Sequence, residues 1–402
     1  MAVALWVAAM LLPTSSAGIE IGPEADLCAA IDALNPGEEL LLSPGEHRAG
    51  CAIRRGGLPG APIVIGAADP DRRPRLIEPG RPVNLLEVRA NDVIIRNLDF
   101  GPGGESDGVR IIHGNRIAVE GCRFIQLGGI AVVANHTSVR GLTVRGNVIA
   151  DAQATGMYFG CHDASCTVSD LVVEGNYIRG VSAPDPEIGY GLEVKLNSSG
   201  VIRDNVIVDT KGPGIMVYGA RDLMTVSVVE RNFTSASRRS SGIVIGGGPA
   251  VVRNNISTRN LDSGIGLENY GRRGLLRGIL VSHNSIHGNR HAGISVPDQG
   301  PIEARIVNNA VHARAGTLAL PTMRPSLRLL GNADCARASC FTNPGELDFS
   351  PFPGSLLFGA GILVAGDAAA TDDYFGSPRR IPPTVGAVDG MSGPVRLGLP
   401  QR

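Results

Sequence analysis

Short runs of alternating apolar and polar residues recur along the chain, each closing on a polar corner: IIRNLDF, VEGCRF, VRGNVI, VEGNYI, IRDNVI, VERNFT, VRNNIS, SHNSIH and VNNAVH. Asn97, Gly121, Asn147, Asn176, Asn205, Asn232, Asn255, Asn284 and Asn309 mark them, at intervals of 23 to 29 residues. A second motif, Gly-Ile-x-Val or a relative, follows most markers by about nine residues, at Gly156, Gly214, Gly242, Gly264 and Gly293. A period of this length predicts a solenoid. The runs are short and β-branched, with Gly and Asn at the corners and no helical periodicity between them, so each repeat reads as one coil of several short strands. Coils stacked in parallel lie about 4.8 Å apart. The recurring Asn is then an inward column, and Asn147, Asn176, Asn205, Asn232, Asn255 and Asn284 are expected stacked inside, because a buried amide needs partners and identical amides supply them. A leucine-rich solenoid would need regularly placed leucines, which the repeats lack.

Alternation also assigns faces. In the Gly-Ile strands the apolar pairs Met157/Phe159, Leu192/Val194, Ile215/Val217, Ile243/Ile245 and Ile265/Leu267 point inward. The intervening column, Tyr158, Glu193, Met216, Val244, Gly266 and Ser295, points outward. So does the next one, Gly160, Lys195, Tyr218, Gly246, Glu268 and Pro297. Glu193 and Lys195, in GYGLEVKLNSSG, are therefore expected to share the solvent face, with Tyr158 and Tyr218 one coil away on either side. Glu268 and Tyr270 lie further along the stack. The marker-to-Gly interval stretches to 15 residues between Asn176 and Gly191, so VSAPDPEIGY forms an inserted loop beside the Lys195 strand. CHDASC offers His162 in a small loop, SASRRS offers Arg238 and Arg239, and YGARD offers Arg221. Such arginines suit a polymer bearing carboxylates or sulfates. A solvated Glu–Lys pair is the plain alternative.

Composition narrows the partners. The chain has 402 residues, 54 of them Gly, with a formal net charge of -1 and 4% aromatics. No basic stripe points to nucleic acid, and aromatics are too few for a stacked sugar-binding floor. Residues 1–17 read as a signal peptide, with an apolar run and then small residues; no later run has the length of a membrane span. Seven cysteines suit an oxidising compartment. Cys161 and Cys166 are close in sequence, as are Cys335 and Cys340, and Cys28 with Cys51 could staple the N-terminal end; spacing leaves the connectivity open. Cys122, left over, reads as a small buried residue.

With the ladder in place, the chain resembles the right-handed parallel β-helix proteins of the pectate-lyase-like group over about residues 25 to 320. ADLCAAIDALNPGEELLLSPGEHR looks like that group's N-terminal cap, a short helix before the first strand, and a cap is physically required at an open solenoid end. GLPGAPIVIGAADPDRRPRL resembles early coils of alginate lyase and chondroitinase B type polysaccharide lyases, and DDYFGSPRRIPPTVGAVDG resembles a closing motif of secreted bacterial β-helix proteins. The expected organisation is an all-β, single-stranded right-handed parallel β-helix with a short capping helix over 18–320, then an irregular capping region over 321–402.

The resemblance implies a chemistry. EVKLNSSGVIRDN is similar to the element that carries the lyases' catalytic lysine, which places Lys195 as base; the family's arginine on the next coil falls near Val217–Tyr218 and is not reproduced, leaving Tyr218 or Arg221 to assist. The substrate-binding set is Tyr158, His162, Glu193, Arg221, Arg238, Arg239, Glu268 and Tyr270, and the resemblance offers calcium, held through Glu193, as cofactor. The expected function is a secreted or periplasmic, monomeric lyase that cleaves a uronic-acid polymer by β-elimination. A carbohydrate-binding or surface protein, a glycoside hydrolase and a C5-epimerase are the alternatives on the same scaffold. The hydrolase reading is weakened by the three coils, about 14 Å, between Glu193 and Glu268.

Overall fold

The computed structural model describes residues 18–269, 274–314, 319–335, 340–363 and 370–399; residues 1–17 and Tyr270, with the expectations attached to them, lie outside these. Three long parallel sheets run the length of the stack, each coil contributing one strand to each. The first sheet holds strands such as Leu142–Arg145, Leu171–Glu174 and Gly200–Arg203, the second Val148–Ala150, Tyr177–Val181 and Val206–Thr210, and the third Met157–Phe159, Leu192–Val194 and Ile215–Val217. The inward positions form one continuous apolar core from Leu27 to Leu327. The expected cap is present: helix α1 (Leu27–Asp32) starts at Asp26, whose carboxylate accepts from the Ala29 N–H at 3.0 Å, and buries Leu27 and Ile31 over the first coil.

Between the first and second sheets the chain turns through a two-residue corner. Its first residue takes a left-handed conformation in coil after coil, from Asn97 (φ 56°) and Gly121 (φ 61°) through Asp204, Arg231 and Asn254 to Gly331. The second residue faces inward and is asparagine in eight successive coils, from Asn147 to Asn332. Each Nδ2 donates to the Oδ1 of the next rung at 2.9–3.0 Å and to a backbone carbonyl of an earlier coil. Each next-rung Oδ1 also accepts the backbone N–H of the rung before it. Amide demand is met by translation alone. Asn97 and Gly121 occupy the left-handed position, so the column begins one residue later, with Leu98 and then Cys122, whose N–H caps the stack on Asn147 Oδ1 at 2.8 Å. Cys122 is buried and unbridged, as its reading as a core residue anticipates.

Over seven successive coils the first sheet ends its strands on an outward charge that changes sign each time: Arg96, Glu120, Arg145, Glu174, Arg203, Glu230 and Arg253 are aligned rung on rung. Glu120–Arg145, Glu174–Arg203 and Glu230–Arg253 close at 2.7–2.9 Å.

Parallel pairing continues past residue 320, through Leu327–Leu330 and Ala333–Asp334. The segment beyond also runs back along the side of the stack. Its residues Phe341, Phe349, Val385 and Ala387 cover an outward apolar column of the second sheet, Val206, Phe233, Ile256 and Ala310. Polar clasps fix it: Arg231 to Asp372 at 2.6 Å, Asn254 to the Asp372 carbonyl at 2.9 Å, and the Ala387 N–H to Ser285 at 2.9 Å. Disulfides join Cys28–Cys51, Cys161–Cys166 and Cys335–Cys340. Among the described residues no helix is long and apolar enough to cross a membrane.

Candidate functional site

The third sheet has the expected register. Glu193 pairs with Tyr158 on one side and Met216 on the other. Lys195 and Tyr218 follow in the next column, their N–H groups donating to Phe159 and Val194 carbonyls. The solvent exposure expected for this face is not found. Glu193 is 2% exposed, Lys195 4% and Tyr218 2%. The reason is non-local. The inserted loop folds back over the sheet and brings Tyr190 and Ile188 onto Leu196, Met216, Tyr218 and Val244, a small apolar cluster outside the solenoid.

Under that cover the pair is tight. Lys195 Nζ lies 2.5 Å from Glu193 Oε2 and stands over three tyrosine rings, 4.6 Å from the centroids of Tyr158 and Tyr218 and 5.7 Å from that of Tyr190. The Tyr190 and Tyr218 hydroxyls are 3.3 Å apart. Carboxylate and ring faces together offset the desolvation of the ammonium. The calcium expectation does not fit here. Calcium takes six to eight oxygens, whereas Glu193 faces an ammonium, and no cluster of three or more metal-ligating side chains occurs among the described residues.

Beside the cluster a cavity of about 240 Å³ opens, lined by Asp185, Glu187, Tyr190, Lys211, Met216, Arg239 and Glu268 among others. Lys211 crosses beneath the inserted loop. Its Nζ donates to the Ala183 carbonyl at 3.0 Å and the Glu187 carbonyl at 2.5 Å, and meets Asp185 Oδ1 at 2.6 Å. Arg239 reaches the same Asp185 oxygen at 2.6 Å from the solvent side. Arg239 first and Lys211 second hold the Asp185 carboxyl down at about 2. Glu268 folds its carboxylate over the gap left by Gly266; burial, then the neighbouring Asp262, push it above the usual carboxylate range.

The other expected residues fall around this centre or away from it. Arg238 lies next to the rim, engaged with Asp209 at 2.7 Å and the Val181 carbonyl at 2.8 Å. His162 is exposed on the loop closed by Cys161–Cys166, and Arg221 is exposed in the turn after Ala220. Sequence reasoning passed over Lys211, Asp185 and Tyr190. A signal was there: the chain contains only two lysines among its 37 Lys and Arg residues, Lys195 and Lys211. Both are buried on this one face, while arginine supplies every other basic side chain of the two types.

Residues 187–332 match a family model described as right handed beta helix region. Among solved structures the chain is similar to pectate lyase Pel9A, with 16% identity, TM-score 0.59, and coverage of 94% of this chain and 97% of that one. It is also similar to the PL6 family polysaccharide lyase Pedsa3628 from Pseudopedobacter saltans, with 15% identity, TM-score 0.51, and coverage of 79% and 92%. A GH136 lacto-N-biosidase from Eubacterium ramulus aligns with 13% identity, TM-score 0.51, and coverage of 76% and 64%. No curated protein matches by sequence. Parallel coils, the inward ladder and these likenesses agree: the chain is a right-handed parallel β-helix protein, built on the scaffold that polysaccharide lyases and a glycoside hydrolase also use.

Proposed function

We propose that the protein is an exported polysaccharide lyase acting on a uronic-acid polymer, with the cavity beside Lys195 as its site. The observation that carries this reading is the burial of both lysines of the chain beside one inserted loop: Lys195 against Glu193 and three of the six tyrosines, and Lys211, with Arg239, on the wall of the adjoining cavity that Tyr190 and Met216 also line. β-Elimination needs the substrate carboxylate neutralised, the adjacent carbon-bound proton removed, and the leaving glycosidic oxygen protonated as the double bond forms. Lys211 and Arg239 supply fixed positive charge, so neutralisation needs no metal. Lys195 can act as base by passing its own proton to Glu193 across 2.5 Å, a neutral pair being less costly in a buried site than in water. Tyr218, hydrogen-bonded to Tyr190, is the acid for the leaving oxygen. Access requires the inserted loop, which carries Tyr190, to lift. The three disulfides accord with export to an oxidising compartment.

The test is a panel of polygalacturonate, alginate, chondroitin, heparin and hyaluronan, followed by ultraviolet absorbance of the unsaturated product. Wild type should produce it from at least one acidic polymer. Tyr218→Phe should slow turnover by ~10²–10⁴-fold while leaving polymer binding in place. Absence of absorbance with every polymer refutes the lyase. A hydrolase is the second reading, favoured by Glu268, a half-buried carboxyl held protonated to higher pH on the cavity wall; it would yield new reducing ends without absorbance.

A further inference from the structure

Asp185 sits on the inserted loop with its side chain 66% exposed, and yet both cations of the cavity rim converge on one of its oxygens. Lys211 has its side chain 9% exposed. Two of its three N–H donors are spent on loop carbonyls, and the third meets the Asp185 carboxylate. An ammonium buried this deeply requires an anion. Arg239, with its side chain 61% exposed, adds a second bond to Asp185 Oδ2 at 3.4 Å, the forked geometry by which guanidinium holds carboxylates. The pair therefore holds one carboxylate between a buried point charge and an open fork, at the mouth of the cavity that Tyr190 and Glu268 also line.

We propose that Lys211 and Arg239 form a binding subsite for the carboxylate of an acidic sugar residue, and that Asp185 fills this subsite as an intramolecular stand-in when no polymer is bound. The inference rests on reading the cavity as the polymer site. A uronate and Asp185 present the same chemical group, so one exchanges for the other with no loss of charge balance around Lys211. The exchange also has a consequence for the loop: once Asp185 is displaced, an ion-pair anchor that holds Tyr190 over Lys195 is released. Because the clamp keeps Asp185 ionised down to about pH 2, protonation does not open the subsite in the neutral range; only a competing anion does.

The experiment measures binding rather than turnover, by calorimetry with polygalacturonate and alginate as probes and dextran as the neutral control. Asp185→Asn removes the competitor and should tighten binding of at least one acidic polymer several-fold, up to about tenfold, as the fraction of chains with an open subsite rises. Asp222→Asn, an equal charge change at an exposed position outside the loop, should not. In the Asp185→Asn background, Arg239→Gln should abolish the gain, and thermal melts of each variant exclude misfolding as the cause. Equal or weaker binding by Asp185→Asn in a folded protein overturns the subsite and leaves the carboxylate as a fastener for the loop. Binding of neither acidic polymer by wild type or Asp185→Asn overturns it as well. Tighter binding without unsaturated product keeps the subsite and removes the lyase; unsaturated product without tighter binding keeps the lyase and removes the subsite.

Discussion

Asn205 is buried between two residues identical to itself, while Lys195 is buried among a glutamate and three tyrosines. Both columns take polar groups out of water within the same stack of coils. In the first, every rung donates to the next and accepts from the last, so a single residue type repeated at coil spacing satisfies itself without help from elsewhere. In the second, no residue type carries over from one coil to the next: Gly160, Lys195, Tyr218, Gly246 and Glu268 succeed one another. Its satisfaction comes from a carboxylate two residues away and from a loop inserted between two sheets. A column that solves its own burial is scaffold; one that must import its partners is where the proposed chemistry is placed.

The largest expected effect tests the imported column. Lys195→Met leaves Glu193 buried and charged without its partner and should destabilise the fold by ~3–5 kcal/mol, measured as a shift in the denaturation midpoint. Adding Glu193→Gln should recover most of that loss. A single variant as stable as wild type would return the pair to the solvated surface that alternation alone suggests. The repeated column comes next. Asn205→Leu removes the acceptor for two donors of Asn176 and the donor for Asn232 and should cost ~2–4 kcal/mol; an unchanged midpoint would mean that neighbouring coils relax to close the gap.

The smallest effect concerns a third buried polar contact, where the C-terminal segment clasps the stack. His283 contacts the Thr384 carbonyl through Nδ1 at 3.2 Å and the Asn308 amide through Nε2 at 3.0 Å. Only the neutral ring, with its proton on Nδ1, can donate to the first and accept from the second. Burial first, then Arg379, lower its titration from 6.5 to about 3. The folded state thus refuses a proton that the unfolded chain takes up below pH 6.5. This contribution to stability is whole above that pH and falls by about 1.4 kcal/mol per pH unit on acidification towards 3. Denaturation midpoints between pH 7 and 5 should show the slope, and His283→Gln should flatten it.

How much of this the sequence discloses follows from the same contrast. The ladder, the coil period and the outward register of Tyr158, Glu193 and Met216 are local and periodic, and all are legible. So is the alternation of Arg and Glu before the corner residue, visible in VEG, VRG, VEG and IRD although no reading of single motifs draws it out. The burial of Lys195 is not legible, because its cover arrives from VSAPDPEIGY, whose length marks an insertion but whose direction of folding is set by where Tyr190 and Ile188 find apolar partners. The sideways course of the C-terminal segment is hidden for a similar reason: Val206, Phe233 and Ile256 read as ordinary strand residues until something is needed to cover them.

The alternating column on the first sheet has a consequence of a different kind. Its ion pairs grade from partly exposed at Glu120–Arg145 to largely buried at Glu230–Arg253, and the exposed ones are individually worth little, below about 1 kcal/mol. Its value lies in arithmetic. A stack of near-identical coils offers the growing end of the solenoid many seats of similar shape, and apolar positions alone do not tell one seat from the next. From Arg96 to Arg253 the column assigns the coils odd or even. A segment that skips one coil sets arginine on arginine or glutamate on glutamate, whereas a segment that skips two meets its proper opposite. The column works as a parity bit. It rejects single-coil slips, tolerates double ones, and makes the pair of coils, rather than the coil, the unit in which this stretch of solenoid can be shortened or extended without conflict.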